Sequence, residues 1–172
     1  MRVGFGYDSH VFGRGGTLKL CGCTIPGCDA LKAHSDGDVA LHAAIDALFG
    51  AAGLGDIGAH FPDSSPEWKG ADSAKLAKAA TAEVRAAGFV PWNIDLTLVC
   101  ERPRIAPHVA DMKVKLAEIL GLPVSHVSVK GKTNEGMDAI GEGRGIAAYA
   151  AVLLEETPAA AGTADAREAE AR

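Results

Sequence analysis

Apolar and polar residues alternate at the start of the chain, where Val3, Phe5 and Tyr7 share one parity over residues 2–7. Period two is the signature of a half-buried strand. A second alternating run, 17–25, carries Leu18 and Leu20 beyond a Gly-rich stretch at 13–16. The period then lengthens. From Ser35 to about Gly53 the pattern is helical, and Ser-Asp-Gly-Asp at its start offers a hydroxyl cap with acids in the first turn. A second helix is predicted over 73–87, with Leu76, Ala80 and Val84 on one face and Gly88 as its stop. Residues 94–100 read as a strand. Pro107 opens a third helix bearing Val109, Met112, Leu116, Ile119 and Leu120, which Gly121 ends. Residues 126–132 alternate as a strand, and the apolar run 145–154 reads as a buried strand with a helix as the alternative. The order β-β-α-α-β-α-β-β predicts an α/β fold of the α+β sandwich kind, a mixed β-sheet with helices packed on one face.

The pattern stops near residue 156. Beyond it TPAAAGTADAREAEAR has no large apolar residue, and Pro158 and Gly162 break any entering helix. Residues 1–156 are therefore expected to form one catalytic domain and 157–172 a disordered Ala-rich tail. A chain of 172 residues suits a single core. Its net charge of −5 argues against a nucleic-acid binder that works through charge. No apolar run reaches the ~18 residues of a membrane span, and the N-terminus lacks a signal-peptide core, so a cytoplasmic protein is expected. In that compartment Cys21, Cys23, Cys28 and Cys100 stay reduced. The first three either form part of a zinc site or are small buried apolar residues.

Four segments carry candidate chemistry. Asp8 and His10, two apart on a strand, project from one face and either chelate a cation or cap a turn. Asp38, His42 and Asp46 lie four apart on one helical stripe. His42 alone is an ordinary helix residue. With Asp8 and His10 it completes a two-His, one-carboxylate set, three ligands plus an open position, as in catalytic zinc sites. Asp38 or Asp46 would then orient its ring from behind. The third segment, LGDIGAHFPD at 54–63, exposes backbone N–H groups and carboxylates that either hydrogen-bond ribose hydroxyls or form a turn. The fourth, 129–145, delivers Lys130, Lys132, Thr133 and Glu135 into a Gly-rich loop. Lys, Thr and free N–H groups suit phosphate oxygens and Glu135 a hard divalent ion, although a solvated loop explains them too. The spacing is not that of a Walker loop.

Together these segments resemble the 2-C-methyl-D-erythritol 2,4-cyclodiphosphate synthase family of non-mevalonate isoprenoid biosynthesis. The residues that carry the resemblance are Asp8-x-His10, His34-Ser35-Asp36-Gly37-Asp38-Val39 with His42-Ala43, Leu54-Gly55-Asp56-Ile57-Gly58 with Phe61-Pro62-Asp63, and Lys130 through Glu135, in family order from Met1 to about Glu155. The resemblance implies a homotrimer with sites at subunit junctions and a CDP-linked methylerythritol 2-phosphate as substrate. It implies cyclisation to the 2,4-cyclodiphosphate with release of CMP. Asp8, His10 and His42 match zinc (Zn2+) ligands, and Glu135 matches the carboxylate on a second ion, Mg2+ or Mn2+. His34 and Thr133 match positions that stabilise the transition state. Ser35 and the loop Phe61, Pro62, Asp63, Ser64 and Ser65 would contact the methylerythritol phosphate. Asp56 and Gly58, with Ile57 between them, would hold the ribose. Cys100, Arg104, Ile105 and Ala106 would enclose the cytosine with Lys132, Thr133 and the adjoining Asn134. Residues 62–71 are the candidate closing loop.

One region departs from the pattern. Family members commonly read Gly-Phe-x-Gly-Arg-x-Glu-Gly after the glutamate, whereas this chain has Asp138-Ala139-Ile140-Gly141-Glu142-Gly143-Arg144-Gly145. The aromatic is lost and the Arg and Glu have exchanged places, so the axial anion site of some relatives is not carried over. Lys132 stands where Thr is common. Three other readings compete: a zinc phosphohydrolase with His34 as base, a noncatalytic trimer that binds isoprenoid diphosphates, and a purely structural metal domain.

Overall fold

A computed structural model of the chain describes residues 1–62 and 64–157. In chain order its elements are β1 (Arg2–Val11), β2 (Leu18–Leu20), β3 (Cys23–Ile25), α1 (Val39–Ala52), α2 (Ile57–His60), α3 (Ser73–Ala86), β4 (Phe89–Val99), α4 (Val109–Leu120), β5 (Val127–Lys132), α5 (Asp138–Gly141) and β6 (Gly145–Glu156). Short 3-10 turns occupy Pro66–Trp68, Ala106–His108 and Val124–His126. The main sheet has the order β1-β6-β4-β5, with β4 and β5 parallel and the other neighbours antiparallel. α1, α3 and α4 pack on one face of it, as the sequence predicts.

Several boundaries move for physical reasons. The run 17–25 is a two-stranded hairpin and not one strand, with β2 and β3 joined across Cys21 and Gly22. Both turn residues have positive φ, 54° and 76°, the geometry of a type I′ turn that usually calls for Asn-Gly. Here the Asp38 carboxylate compensates by accepting the Cys21 and Gly22 N–H groups at 2.9 and 2.6 Å. α1 starts at Val39 and not at Ser35, because Asp38 supplies the cap and accepts the Leu41 N–H at 3.1 Å. Burial nevertheless pushes the Asp38 carboxyl above its usual range. The run 145–154 is a strand, β6, and occupies the centre of the sheet. Its small residues, poor in intrinsic strand preference, let α1 lie close. At the chain's other end Thr157, expected in the tail, donates its N–H to Gly88 at 2.8 Å. The rest of that tail lies outside the described residues.

The core joins α1 to the sheet through Leu41, Ile45, Leu48, Ile94, Leu96 and Leu98, all fully buried or nearly so. Gly4 and Gly6 set the distance between α1 and β1. A Cβ on Gly4 would lie 1.9 Å from the Ala47 carbonyl oxygen, and one on Gly6 would lie 2.0 Å from that of Ala43. The opposite sheet face carries Val3, Phe5, Tyr7 and Tyr149, each at least 39% exposed. Tyr7 and Tyr149 face each other in register with ring centroids 5.0 Å apart. Among the described residues no helix is long and apolar enough to cross a membrane.

Candidate metal centre and substrate clefts

Parity on β1 directs Gly4, Gly6, Asp8 and His10 toward the helices. Because the two glycines bring α1 against the strand, His42, in the first turn of α1, reaches the strand's end. Its Nδ1 is 2.9 Å from Asp8 Oδ2 and 3.0 Å from His10 Nε2, and that pair is itself 3.1 Å apart. Donors around a tetrahedral zinc sit about 3.3 Å from one another, so the three fit one ion with little adjustment. The donor chemistry agrees. Three lone-pair atoms converge, and their mutual repulsion demands a proton or a cation between them. Burial raises the Asp8 carboxyl, but hydrogen bonds from His10 and His42 outweigh it and hold it well below the usual carboxylate range. Among the described residues this is the one His/Cys/Asp/Glu group whose ligand atoms converge. Cys21, Cys23 and Cys28 form no such group, and Cys21 is simply buried.

The expected orienters of His42 are elsewhere engaged. Asp38 is bound to the β2–β3 turn and its own helix cap. Asp46 accepts the Ile57 N–H at 2.8 Å and so anchors α2. The far nitrogen of His42, Nε2, instead lies 2.9 Å from Ser35 Oγ and 3.1 Å from Ser73 Oγ. Ser73 went unnoticed in the sequence, where it reads as the start of a helix.

A cavity of about 320 Å³ opens over the triad and is lined also by His34, Ser35, Ile57, Gly58, Phe61, Pro62 and Trp68. His34 Nε2 is buried there and has no hydrogen-bond partner among the described residues. Asp56 caps α2, accepting the Ala59 N–H at 2.9 Å. Ser65 caps the turn Pro66–Trp68, and Ser64 is exposed. Asp63 lies outside the described residues. Trp68 meets Phe61 edge-on at 5.2 Å, giving the predicted closing loop an apolar anchor.

A second cavity, about 250 Å³, is lined by Cys100, Arg104, Ile105, Ala106, Lys132 and Thr133 together with Glu101 and Gly131. It shares no lining residue with the first. Burial pushes the Cys100 thiol up to about 11. Thr133 donates its hydroxyl to Glu135, so that carboxylate turns toward its own loop and stands apart from the triad. Glu101, within the Cys100–Ala106 stretch expected around the cytosine, organises the loop by accepting the Asn134 N–H at 2.9 Å. The exchanged residues Glu142 and Arg144 pair with each other at 2.9 Å, both largely exposed. A third cleft, about 340 Å³, is lined by Phe12, Cys28, Asp29 and Arg102 and holds none of the expected site residues.

Comparison with known proteins places these features. The family model described as "YgbB family" matches residues 1–155. The chain is 50% identical over 155 residues to a 2-C-methyl-D-erythritol 2,4-cyclodiphosphate synthase of Marinobacter nauticus, covering 90% of this chain and 98% of that one. It is 50% identical over 153 residues to a bifunctional enzyme IspD/IspF of Hyphomonas neptunium, covering 89% of this chain and spanning only 40% of that longer protein. A solved structure of a 2C-methyl-D-erythritol-2,4-cyclodiphosphate synthase, in a form described as CDP-bound, superposes with a TM-score of 0.82 at 40% identity. That match covers 90% of this chain and all of the other.

Proposed function

The chain belongs to the YgbB family, and from that premise and the site geometry we propose that it is a 2-C-methyl-D-erythritol 2,4-cyclodiphosphate synthase. It acts in non-mevalonate isoprenoid biosynthesis, in the cytoplasm, as a homotrimer. The observation that carries the reading is the convergence of Asp8, His10 and His42 within 3.1 Å at the floor of a cavity holding His34.

The substrate is a CDP-linked methylerythritol 2-phosphate. An oxygen of the 2-phosphate attacks the β-phosphorus, and a new P–O bond forms. The bond from that phosphorus to the oxygen bridging the α-phosphate breaks, and CMP leaves with the electron pair. The nucleophile is already anionic, so no strong base is needed, and catalysis reduces to positioning and charge neutralisation. Asp8, His10 and His42 would hold zinc, which would supply positive charge to the reacting phosphates. His34, whose buried Nε2 has no partner among the described residues, hydrogen-bonds the phosphates as charge shifts between them. Thr133 would do the same from the second cavity once its hydroxyl turns from Glu135 to a phosphate oxygen, and Glu135, on the adjoining loop, would hold the Mg2+ or Mn2+ ion. Ser35 and the loop 61–65 hold the methylerythritol phosphate. Asp56, Ile57 and Gly58 take the ribose, and the cavity of Cys100, Arg104, Ile105, Ala106 and Lys132, with Asn134 on the adjoining loop, takes the cytosine.

The placement of the two cavities supports an assembly in which copies share a site. Asp8 and His10 end β1 at one edge of the sheet, and Lys132 ends β5 at the other edge. Three strand spacings separate them, roughly 14 Å. In the proposed trimer, neighbouring copies would pack on the exposed Val3, Phe5, Tyr7 and Tyr149 face and the second cavity of one subunit would complete the first cavity of the next.

Phosphorus NMR of the products tests the reaction, with the CDP-methylerythritol 2-phosphate, zinc and magnesium supplied. Cyclic diphosphate with stoichiometric CMP, lost in His42→Ala, is expected. Linear phosphate products would instead identify a zinc phosphohydrolase.

A further inference from the structure

We propose that Ser73 is a positioning residue for the metal centre, itself held by Asp36 and Lys19, and that this chain of hydrogen bonds fixes the tautomer and orientation of His42. The inference rests on the reading of Asp8, His10 and His42 as metal ligands and adds to it the groups behind the ring. Lys19 Nζ donates to Asp36 Oδ2 at 2.9 Å. Asp36 Oδ1 accepts the Ser73 hydroxyl at 2.5 Å and the Ser73 N–H at 3.3 Å. A hydroxyl has one proton. With that proton committed to a carboxylate, Ser73 Oγ turns only lone pairs toward His42 Nε2, 3.1 Å away.

Ser35 reinforces the constraint. Its Oγ accepts the Gly37 N–H at 3.3 Å and lies 3.3 Å from Ser73 Oγ and 2.9 Å from His42 Nε2. If its proton goes to Ser73 Oγ, it too presents an acceptor to the ring. Ser73, its proton held by Asp36, thus favours hydrogen on Nε2, and Ser35, whose hydroxyl can turn either way, adapts to it. Nδ1 is left with a free lone pair, aimed at the point where Asp8 Oδ2 and His10 Nε2 converge, which is the form a metal-binding imidazole needs. The opposite tautomer would set the Nε2 lone pair against those of Ser73 Oγ, a fully buried atom whose own proton is held by Asp36. Metal-binding histidines are commonly steadied by a carboxylate on the ring itself. Here the carboxylate acts one hydroxyl away, and residues from β2, the loop before α1 and the start of α3 all contribute.

Zinc affinity of the full chain, measured by competition with a chromophoric chelator, tests the proposal alongside the visible spectrum of the cobalt form. Ser73→Ala is expected to weaken zinc binding by about 10–100-fold and to shift the cobalt bands. Asp36→Asn, close to isosteric, is expected to act in the same direction. It carries the test if Ser73→Ala fails to fold. Affinity within twofold of the parent with unchanged cobalt bands overturns the proposal, even where thermal stability falls, since that is what a purely structural serine would give. A parent chain that takes up neither metal overturns the metal reading itself, and that outcome is seen without any variant.

Discussion

At the scale of single residues, function and burial pull in opposite directions. Cys100 lines the second cavity, yet its thiol is pushed up to about 11 by burial. At pH 8 only about one thiol in a thousand would be ionised, and the thiolate is the reactive form. Alkylation of Cys100 by iodoacetamide in the folded protein is therefore expected to be at least about a hundredfold slower than in urea. Mass spectrometry of the labelled peptide over time reads this directly. Asp36 behaves in the other sense. Burial raises its carboxyl, but hydrogen bonds from Ser73 and Lys19 prevail and leave it below its usual value. A depressed carboxyl adds stability above the unfolded-state value near 3.9, and that contribution disappears as pH falls through the lower folded value. Urea unfolding at stepped pH should show Asp36→Asn destabilised at pH 7, with the gap to the parent closing on acidification below about pH 4.

At the scale of elements, the decisive feature is the contact of α1 with β1. Asp8, His10 and His42, whose donor atoms converge, sit on two elements that meet only because Gly4 and Gly6 allow a helix backbone to lie against a strand. The obstructing atom at Gly6 is a backbone carbonyl, which cannot swing aside as a flexible side chain would. Gly6→Ala is therefore expected to cost about 3 kcal/mol or more, at or beyond the upper end of ordinary overpacking. The helix must retreat, so zinc affinity should fall with stability, as chelator competition and thermal unfolding would show. The β2–β3 turn obeys the same logic, since Asp38 at the head of α1 holds its N–H groups. One carboxylate thus fixes both a helix start and a hairpin.

At the scale of the molecule, one face of the sheet is covered by helices and the other displays aromatic side chains. Phe5 is 67% exposed and Tyr7 49%. Contiguous exposed apolar surface of this kind marks an association site, and a trimer reconciles it with the two separated cavities. Light scattering is expected to give three times the 17.6 kDa chain mass. Phe5→Glu should yield monomer and suppress cyclisation while leaving the metal ligands, on the opposite strand face, in place. A monomeric parent with full activity would contradict the shared-site arrangement.

Local pattern was enough to locate most elements, because strand and helix periods are properties of neighbouring residues. It identified α3 and α4 with their stops, and it placed Asp8 and His10 on one strand face. The motifs from Asp8-x-His10 to Glu135 carried the family resemblance. What the sequence did not reveal depends on residues far apart in the chain. A type I′ turn at Cys21-Gly22 has no local signature, since Asp38, 17 residues on, stabilises it. Ser73 and Asp36 are 37 residues apart, and nothing in either neighbourhood marks them as support for His42. Asp38 and Asp46 shared a helical stripe with His42, but helical spacing says nothing of the backbone N–H groups that claim their oxygens. The sequence by itself determined which residue types are present and the periodicity of the main strands and helices. Only the tertiary structure decided which donors and acceptors meet, because hydrogen-bond partners are chosen by distance and direction across the packed fold.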